Sequence, residues 1–206
     1  MNLSFLKIMC IIILVLFLNL PVNAQLDPNA DMTILWNNQQ TGIINLGNNL
    51  SADNTTKIWP ATINPITGFV IERIDKNNNA NLYVRVNDNF TDGYGNTISY
   101  DNFKYSDYGV NVPITSFTNT STLVRANWRK KGNQPEYLPV ILYLTVPYGT
   151  EPGNYIITII HSLFEPGSIP PLSELSQDID YNDSSKQTDN ITGDANNTNQ
   201  TLNISL

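Results

Sequence analysis

Apolar and polar residues alternate with a period of two through much of the stretch 31–164. The clearest row runs through Leu82, Val84 and Val86, with polar or aromatic residues between them. This period is typical of a strand that buries one face. Turn-forming groups rich in Gly, Asn and Pro recur between such rows, for example YGTEPG at 148–153. The pattern predicts an all-β fold, an immunoglobulin-like antiparallel β-sandwich.

The amino-terminal segment, 1–24, is typical of a secretory signal peptide. The basic residue Lys7 precedes an apolar run at 8–20, and the letters VNA at 22–24 fit the small-residue pattern of a cleavage site. The apolar run is shorter than a membrane-spanning helix, which needs about 20 residues. We therefore expect secretion, with a mature chain that starts at Gln25 and is not embedded in a membrane.

The composition changes after position 165. The stretch 166–206 contains one aromatic residue, Tyr181, and is rich in Ser, Thr, Asn, Asp and Gln. Such a segment buries too little apolar surface to offset the entropy lost on ordering. We expect a sandwich domain over 41–165 and a flexible, disordered tail over 166–206, although residues 202–206 alternate again.

The charge balance excludes several classes of protein. The chain carries 11 basic and 18 acidic residues, and loss of Lys7 with the signal peptide changes the net charge from −7 to −8. An acidic chain lacks the basic surface with which proteins bind nucleic acid. The one histidine, His161, has no second imidazole with which to share a metal, so we expect it to be structural. The one cysteine, Cys10, lies in the signal peptide, and the mature chain is predicted to have no disulfide.

No motif predicts catalysis or a cofactor. Asp75, Asn77 and Asn79 have the spacing that begins a calcium loop, but Ala80 and Val86 stand where such a loop needs Gly and Glu. No Ser lies in a nucleophile context, and no pair of carboxylates is marked out for acid–base chemistry. We therefore expect a protein that is not an enzyme, without a cofactor or a metal.

Three tryptophans are candidates for a sugar-stacking surface: Trp36, Trp59 and Trp128. Trp128 shares an apolar row with Val124 and Ala126, which favours a place in the core instead.

Asparagine is unusually abundant, since it outnumbers the Lys, Arg, Asp and Glu residues taken together. In the predicted mature chain, nine asparagines stand in Asn-x-Ser/Thr acceptor sequences: Asn49, Asn54, Asn89, Asn119, Asn182, Asn190, Asn196, Asn199 and Asn203. Some of these matches arise by chance in an Asn-rich chain, but together with an export signal they predict N-linked glycans at several of them.

The same composition favours an acidic habitat. Near pH 3 most of the 18 acidic side chains are protonated, since carboxyl pKa values lie near 4, whereas Asn, Thr, Ser and glycans remain hydrated. A chain adapted in this way is expected to keep its fold between pH 5 and pH 3.

The segment 144–159 is similar to the closing hairpin of many exported bacterial and archaeal β-sandwich domains; it reads LTVPYGTEPGNYIITI. With a cleavable signal, a cysteine-free mature sandwich and many acceptors, the chain resembles the subunit of the archaeal thread filament, a glycosylated extracellular pilus. The resemblance implies a homopolymer of identical subunits joined head to tail by donor-strand complementation. In that arrangement a terminal strand of one subunit fills a groove in the next, for adhesion or biofilm contact.

The residues themselves offer two candidate donor strands. Within 25–40, Met32, Ile34 and Trp36 share one face of a predicted strand, and this segment is our first choice. The competing segment is 202–206, which we rank lower because Asn203 is a glycan acceptor and a sugar fits poorly into a narrow groove. The alternative function is a monomeric secreted module that binds a carbohydrate or a protein.

Overall fold

In the computed structural model the described residues are 32–47, 50–73, 79–109, 112–129, 134–168 and 198–206. Most of them lie in strands. In chain order these are β1 (Met32–Trp36), β2 (Gln39–Gln40), β3 (Ile43–Asn45), β4 (Thr56–Trp59), β5 (Thr62–Ile63), β6 (Ile66–Thr67), β7 (Phe69–Arg73), β8 (Ala80–Val86), β9 (Phe90–Thr91), β10 (Thr97–Ile98), β11 (Phe103–Asp107), β12 (Val112–Ser116), β13 (Thr122–Trp128), β14 (Glu136–Thr145), β15 (Ile156–Phe164) and β16 (Thr198–Ser205).

The strands form two large sheets and a small hairpin. The first sheet has the order β12-β11-β14-β7-β1-β2, and β4 also pairs with β14. The second has the order β10-β9-β15-β16-β3, and β8 joins β15 to β13. Strands β5 and β6 form the hairpin. No helix in the described segments is long and apolar enough to cross a membrane.

The core lies between the two large sheets and is built from the alternating rows that the sequence predicted. On β8 the buried and half-buried side chains alternate strictly. On β14 every second residue from Leu138 to Leu144 is buried. Trp128, expected in the core, is 1% exposed. The predicted all-β antiparallel sandwich is therefore confirmed.

The sequence pattern also favours one strand near 97–105, but the structure interrupts this stretch. It contains β10, a 3₁₀ turn at Tyr100–Asn102 and the start of β11. The hydroxyl of Ser99 accepts a hydrogen bond from the backbone N–H of Asp101 and caps this turn. A local side-chain contact of this kind competes with the sheet ladder, and the alternation of apolar residues does not reveal it.

The end of the chain differs from the predicted flexible tail. Thr198–Ser205 form β16, which lies inside the second sheet between β15 and β3. Its side chains Leu202 and Ile204 are fully buried. The prediction of a tail followed the average composition of 166–206, which outweighed the short alternating row at 202–206. The rest of the predicted tail, 169–197, lies outside the described residues.

Candidate strand-insertion site

We call the position between β15 and β3 the β16 slot. On one side, β15 pairs with β16 in antiparallel register from Ile156 opposite Ser205 to Leu163 opposite Thr198. On the other side, β3 pairs with residues 203–205 in parallel register. A strand in this slot therefore has hydrogen-bonding neighbours on both edges, as a central strand does.

The slot buries one face of β16. Leu202 and Ile204 are fully buried and Gln200 is 2% exposed, and all three belong to the core side. Asn203 and Ser205 alternate with them and are half-buried. At the end of the strand, the backbone N–H of Leu206 donates to the carbonyl of Tyr155 at 3.0 Å. The slot thus takes an alternating strand and distinguishes its two faces.

The connection that leads into the slot is long. Strand β15 ends at Phe164 and its antiparallel neighbour β16 begins at Thr198, so the whole segment 165–197 joins them. Antiparallel neighbours need only about two to five residues between them. The connection is therefore far longer than closure of the pair requires.

A buried histidine faces β16 from the neighbouring strand. His161 on β15 is fully buried, and its Nε2 lies 3.0 Å from the hydroxyl oxygen of Tyr108. The ring of Phe69 on the opposite sheet meets the imidazole edge-on, with centroids 5.7 Å apart. Burial lowers the pKa of His161 to about 3, so the ring is neutral near pH 7. This environment fits the structural role expected for the residue.

The first-choice donor segment occupies the other sheet. Met32 and Ile34 are fully buried in β1, and Trp36 is half-buried against the core. Strand β1 pairs along its whole length with β7, from Met32 opposite Arg73 to Trp36 opposite Phe69. The strand itself is therefore as the sequence predicted. In this structure it completes its own sheet, and its role as a donor stays a prediction.

A tight turn holds β1 in place. Asn37 and Asn38, both with positive φ, connect it to β2, which is the arrangement of a two-residue hairpin. The side-chain oxygen of Asn37 accepts from the backbone N–H of Gly68 at 2.9 Å, and the N–H of Asn37 donates to the Gly68 carbonyl. Strand β1 is thus fixed at the turn as well as along its ladder.

The predicted glycan acceptors occupy different environments. Asn54 and Asn119 are exposed, and the half-buried Asn89 accepts a hydrogen bond from the backbone N–H of Tyr100. Asn199 and Asn203 both lie in β16. The remaining acceptors, Asn49, Asn182, Asn190 and Asn196, lie outside the described residues.

The position of Asn203 answers the objection raised against the second donor segment. Its side-chain oxygen accepts from the Thr158 hydroxyl at 2.8 Å, on the face of the sheet away from the core. The neighbouring residues Leu202 and Ile204 point into the core. A glycan on Asn203 would therefore extend from the outer face and would not occupy the interior of the slot.

A cavity of about 700 Å³ lies at the end of the sandwich where β16 finishes. Apolar side chains line one part of it: Leu50, Ala52, Ile98, Val146 and Leu206. The segment 150–155 lines the rest. Two tyrosines near this end are strongly exposed, Tyr94 at 92% and Tyr148 at 83%. No pattern in the sequence indicates this cavity, because its walls come from distant loops.

The described part of the chain contains no metal-binding cluster, since no group of three or more His, Cys, Asp or Glu side chains is placed there to hold an ion. The carboxylate of Asp92 is hydrogen-bonded to residues of its own turn. It accepts hydrogen bonds from the Asn96 side chain and from the backbone N–H groups of Tyr94 and Asn96, which lower its pKa. Asp75 and Asn77 of the rejected calcium loop lie outside the described residues.

Comparisons with known proteins find partly similar structures and no related sequence. No protein-family model matches the chain, and no curated protein gives a significant match. The adhesive subunit CfaE of the CFA/I fimbria of enterotoxigenic Escherichia coli is similar with a TM-score of 0.44 and 14% identity, over 86% of this chain and 49% of that one. A mutant of that adhesin gives 0.42 and 12%, over 86% and 48%.

A family 123 glycoside hydrolase from Clostridium perfringens is also similar, with a TM-score of 0.41 and 10% identity, over 85% of this chain and 26% of that one. The chain thus spans less than half the length of each of these three proteins. At such identities and TM-scores, neither the adhesin nor the hydrolase carries an argument about this chain.

Proposed function

We propose that this chain is a structural subunit of an extracellular filament, in which a terminal strand of one copy completes the sandwich of the next. The observation that carries the proposal is the β16 slot, since a central strand position is filled by a segment that the long connection 165–197 separates from the preceding strand. Extended, such a connection reaches up to roughly 110 Å. Its length allows β16 to enter the slot of a second copy as well as its own.

The contacts of β16 are strong enough for a durable joint. Leu202 and Ile204 are fully buried, and burial of such side chains contributes roughly 1.5–3 kcal/mol each. The ladder adds hydrogen bonds along both edges of the strand, each worth about 1 kcal/mol net. A strand and a slot are different surfaces, so the contact does not close on itself and propagates as a fibre.

The structure favours β16 over β1 as the exchanged strand. Removing β1 would separate it from β7 and undo the Asn37–Gly68 contacts at its turn. By contrast, the long segment 165–197 separates β16 from β15. The same long connection lets β16 close its own slot, so closed monomers and exchanged polymers compete and concentration decides between them.

The remaining parts of the proposal come from the sequence. The signal peptide supports export, and the acceptors support an N-glycosylated filament of identical copies. The resemblance to the archaeal thread subunit supports a role in adhesion or biofilm contact. In this role the protein needs no cofactor and performs no catalysis.

Electron microscopy and light scattering on the mature glycosylated chain test this function. A strand tethered by a flexible connection competes for its own slot at an effective concentration of about 1 mM. At protein concentrations up to this value, the proposal predicts linear polymers that resist denaturant. A monodisperse monomer over the whole range would contradict it.

The cavity supports a second candidate, a secreted binding module. An apolar recess with exposed tyrosines on nearby loops suits the faces of sugar rings. Titration of the monomer with oligosaccharides, followed by fluorescence, tests this candidate. Saturable binding that Tyr148→Ala weakens, without filaments, would favour it over the filament.

A further inference from the structure

The face that β16 turns to the core contains one residue of a different kind from its neighbours. Leu202 and Ile204 are apolar, whereas Gln200, almost as fully enclosed, is an amide. The register places Gln200 directly opposite His161 of β15. Residues paired in this way on one face of an antiparallel ladder have Cβ atoms about 4.5–5.5 Å apart. Two polar side chains therefore meet inside an otherwise apolar interface.

Their unused hydrogen-bonding atoms complement each other. Nε2 of His161 is engaged with the Tyr108 hydroxyl. Among the described residues, neither Nδ1 of His161 nor Oε1 of Gln200 has a hydrogen-bond partner. When the Tyr108 hydroxyl donates to Nε2, the neutral ring carries its proton on Nδ1. That donor matches the vacant acceptor on Gln200, and a small side-chain rotation or one buried water would join them.

We infer that Gln200 and His161 form a polar pair that fixes the register in which β16 enters its slot. The inference rests on the proposed function for its biological meaning, because it names what selects the joining strand. Gln200 is a positioning residue in this account. A single buried polar group is known to specify register in packed interfaces where apolar residues alone do not.

The need for such a pair follows from the rest of the strand. A shift of β16 by two residues keeps the same face towards the core and keeps three apolar side chains available to it: Leu202, Ile204 and Leu206. The shift would place Leu202 opposite His161 and Gln200 opposite Leu163. The apolar row alone discriminates weakly between the two registers, whereas only the first places the two polar side chains opposite each other.

The consequence for a filament is a constant repeat. If the entering strand could stop at either register, the spacing between successive subunits would vary by about 7 Å. A foreign alternating strand without an amide at the position of Gln200 would also offer no acceptor to Nδ1 of His161. The pair thus selects both the register and the strand.

Disulfide trapping on the full mature chain, which has no cysteine of its own after Cys10, measures the register. Thr158 lies opposite Asn203 in the observed register and would lie opposite Ser205 after the shift. Thr158→Cys is therefore combined with either Asn203→Cys or Ser205→Cys. We expect efficient linkage of the first pair and little of the second.

The decisive variants change the pair and keep the shape of the strand. Gln200→Met has nearly the same volume, so it is expected to fold and to raise linkage of the shifted pair about fivefold, the effect of losing one hydrogen bond. Moving the amide, with Gln200→Met and Leu202→Gln together, places it opposite His161 only after the shift. This variant should link the shifted pair in preference to the original one.

Unchanged linkage between positions 158 and 203 in Gln200→Met would overturn the inference. This single variant tests the inference even if the double variant with Leu202→Gln fails to fold. The trap reads register whether the strand comes from the same chain or from another. If the protein stays a monomer but shows the predicted changes in linkage, the filament is refuted and the polar pair is supported. If it forms polymers but the linkage does not change, the filament is supported and the polar pair is refuted.

Discussion

Strands β1 and β16 lie across the core from each other and invite comparison. Each comes from one end of the described chain, and each presents an alternating apolar row. Ile34 and Ile204, one in each strand, are both fully buried. Both strands thus supply apolar side chains to the core, although β1 is buried on both faces from Met32 to Leu35 and β16 is half-buried at Asn203 and Ser205.

Their connections differ. A two-residue turn, Asn37 and Asn38, ties β1 to the rest of its sheet, whereas the whole segment 165–197 leads into β16. Burial therefore measures how strongly a strand is held, and the connection determines whether another copy can supply it. This is why β16 is the better candidate for the joint in the proposed filament.

The largest loss of stability is expected when a charged side chain is placed in the apolar row of β1 or of β16. Ile204→Asp and Ile34→Asp should each destabilise the fold near neutral pH by at least about 4 kcal/mol, because an ionised carboxylate would enter the apolar core. Urea denaturation measures the loss. Ser205→Asp, on the outer face of β16, is the matched control and should cost less than about 1 kcal/mol.

Mixing each variant with the unmodified chain distinguishes the role of β1 from that of β16. The Ile204→Asp chain keeps an open slot, so it should accept a neighbour's β16 and shorten the polymers. The Ile34→Asp chain, with its own sheet damaged, should not enter them. Equal shortening by both variants would remove the distinction between β1 and β16.

Acid should weaken the β16 side through His161. The unfolded chain binds a proton on this ring below about pH 6.5, and the folded chain binds it only below about pH 3. Stability therefore falls as the pH drops through that window, by about 4 kcal/mol at pH 3. The lowered pKa of Asp92 acts in the same direction. Thermal unfolding between pH 7 and pH 3 measures the slope.

His161→Gln, which does not titrate, should flatten this dependence. The composition of the chain predicts the opposite behaviour, a fold retained down to pH 3. A flat profile in the unmodified chain would favour that acid-habitat prediction and contradict the role given to His161.

A smaller effect is expected at the anchor of β1. Gly68 has a φ of +67°, and an added Cβ would overlap the backbone oxygen of Pro60. Gly68→Ala should therefore cost about 2–4 kcal/mol. Gly149→Ala is the control: its φ is +80° but nothing lies within 4 Å, so backbone strain of about 1 kcal/mol should be the whole cost.

Polymer formation by Gly68→Ala sharpens the comparison. If β16 is the exchanged strand, loosening β1 should leave polymer yield unchanged at temperatures where the variant is folded. A higher yield would indicate that β1 is the strand released.

The smallest effect is expected from Asn203→Gln. This change removes the glycan-acceptor sequence and displaces the hydrogen bond with Thr158. That bond contributes less than about 1 kcal/mol at a half-buried site. Because Asn203 faces outward, polymer yield should stay the same. A marked rise in yield on loss of the glycan would show that the sugar does obstruct the slot.

The alternation of apolar residues predicted the strands and the sandwich, because a half-buried strand leaves a period of two in the sequence. Leu202 and Ile204 also form an alternating row in the sequence. They were nevertheless assigned to a tail, since the polar residues around them dominate the average composition of 166–206. Alternation cannot identify the partner of a strand. The slot, the cavity and the opposition of His161 to Gln200 depend on contacts between distant segments, which a single sequence does not encode locally.

The most direct test of the account asks whose β16 fills the slot. One chain carries Thr158→Cys and a second carries Asn203→Cys, at side chains whose oxygens lie 2.8 Å apart. The account predicts that the mixed, oxidised polymers contain disulfides between the two chains, in amounts that rise with concentration. Polymers without such links, together with efficient linkage when both cysteines are on one chain, would show that β16 stays in its own slot and that the joint lies elsewhere.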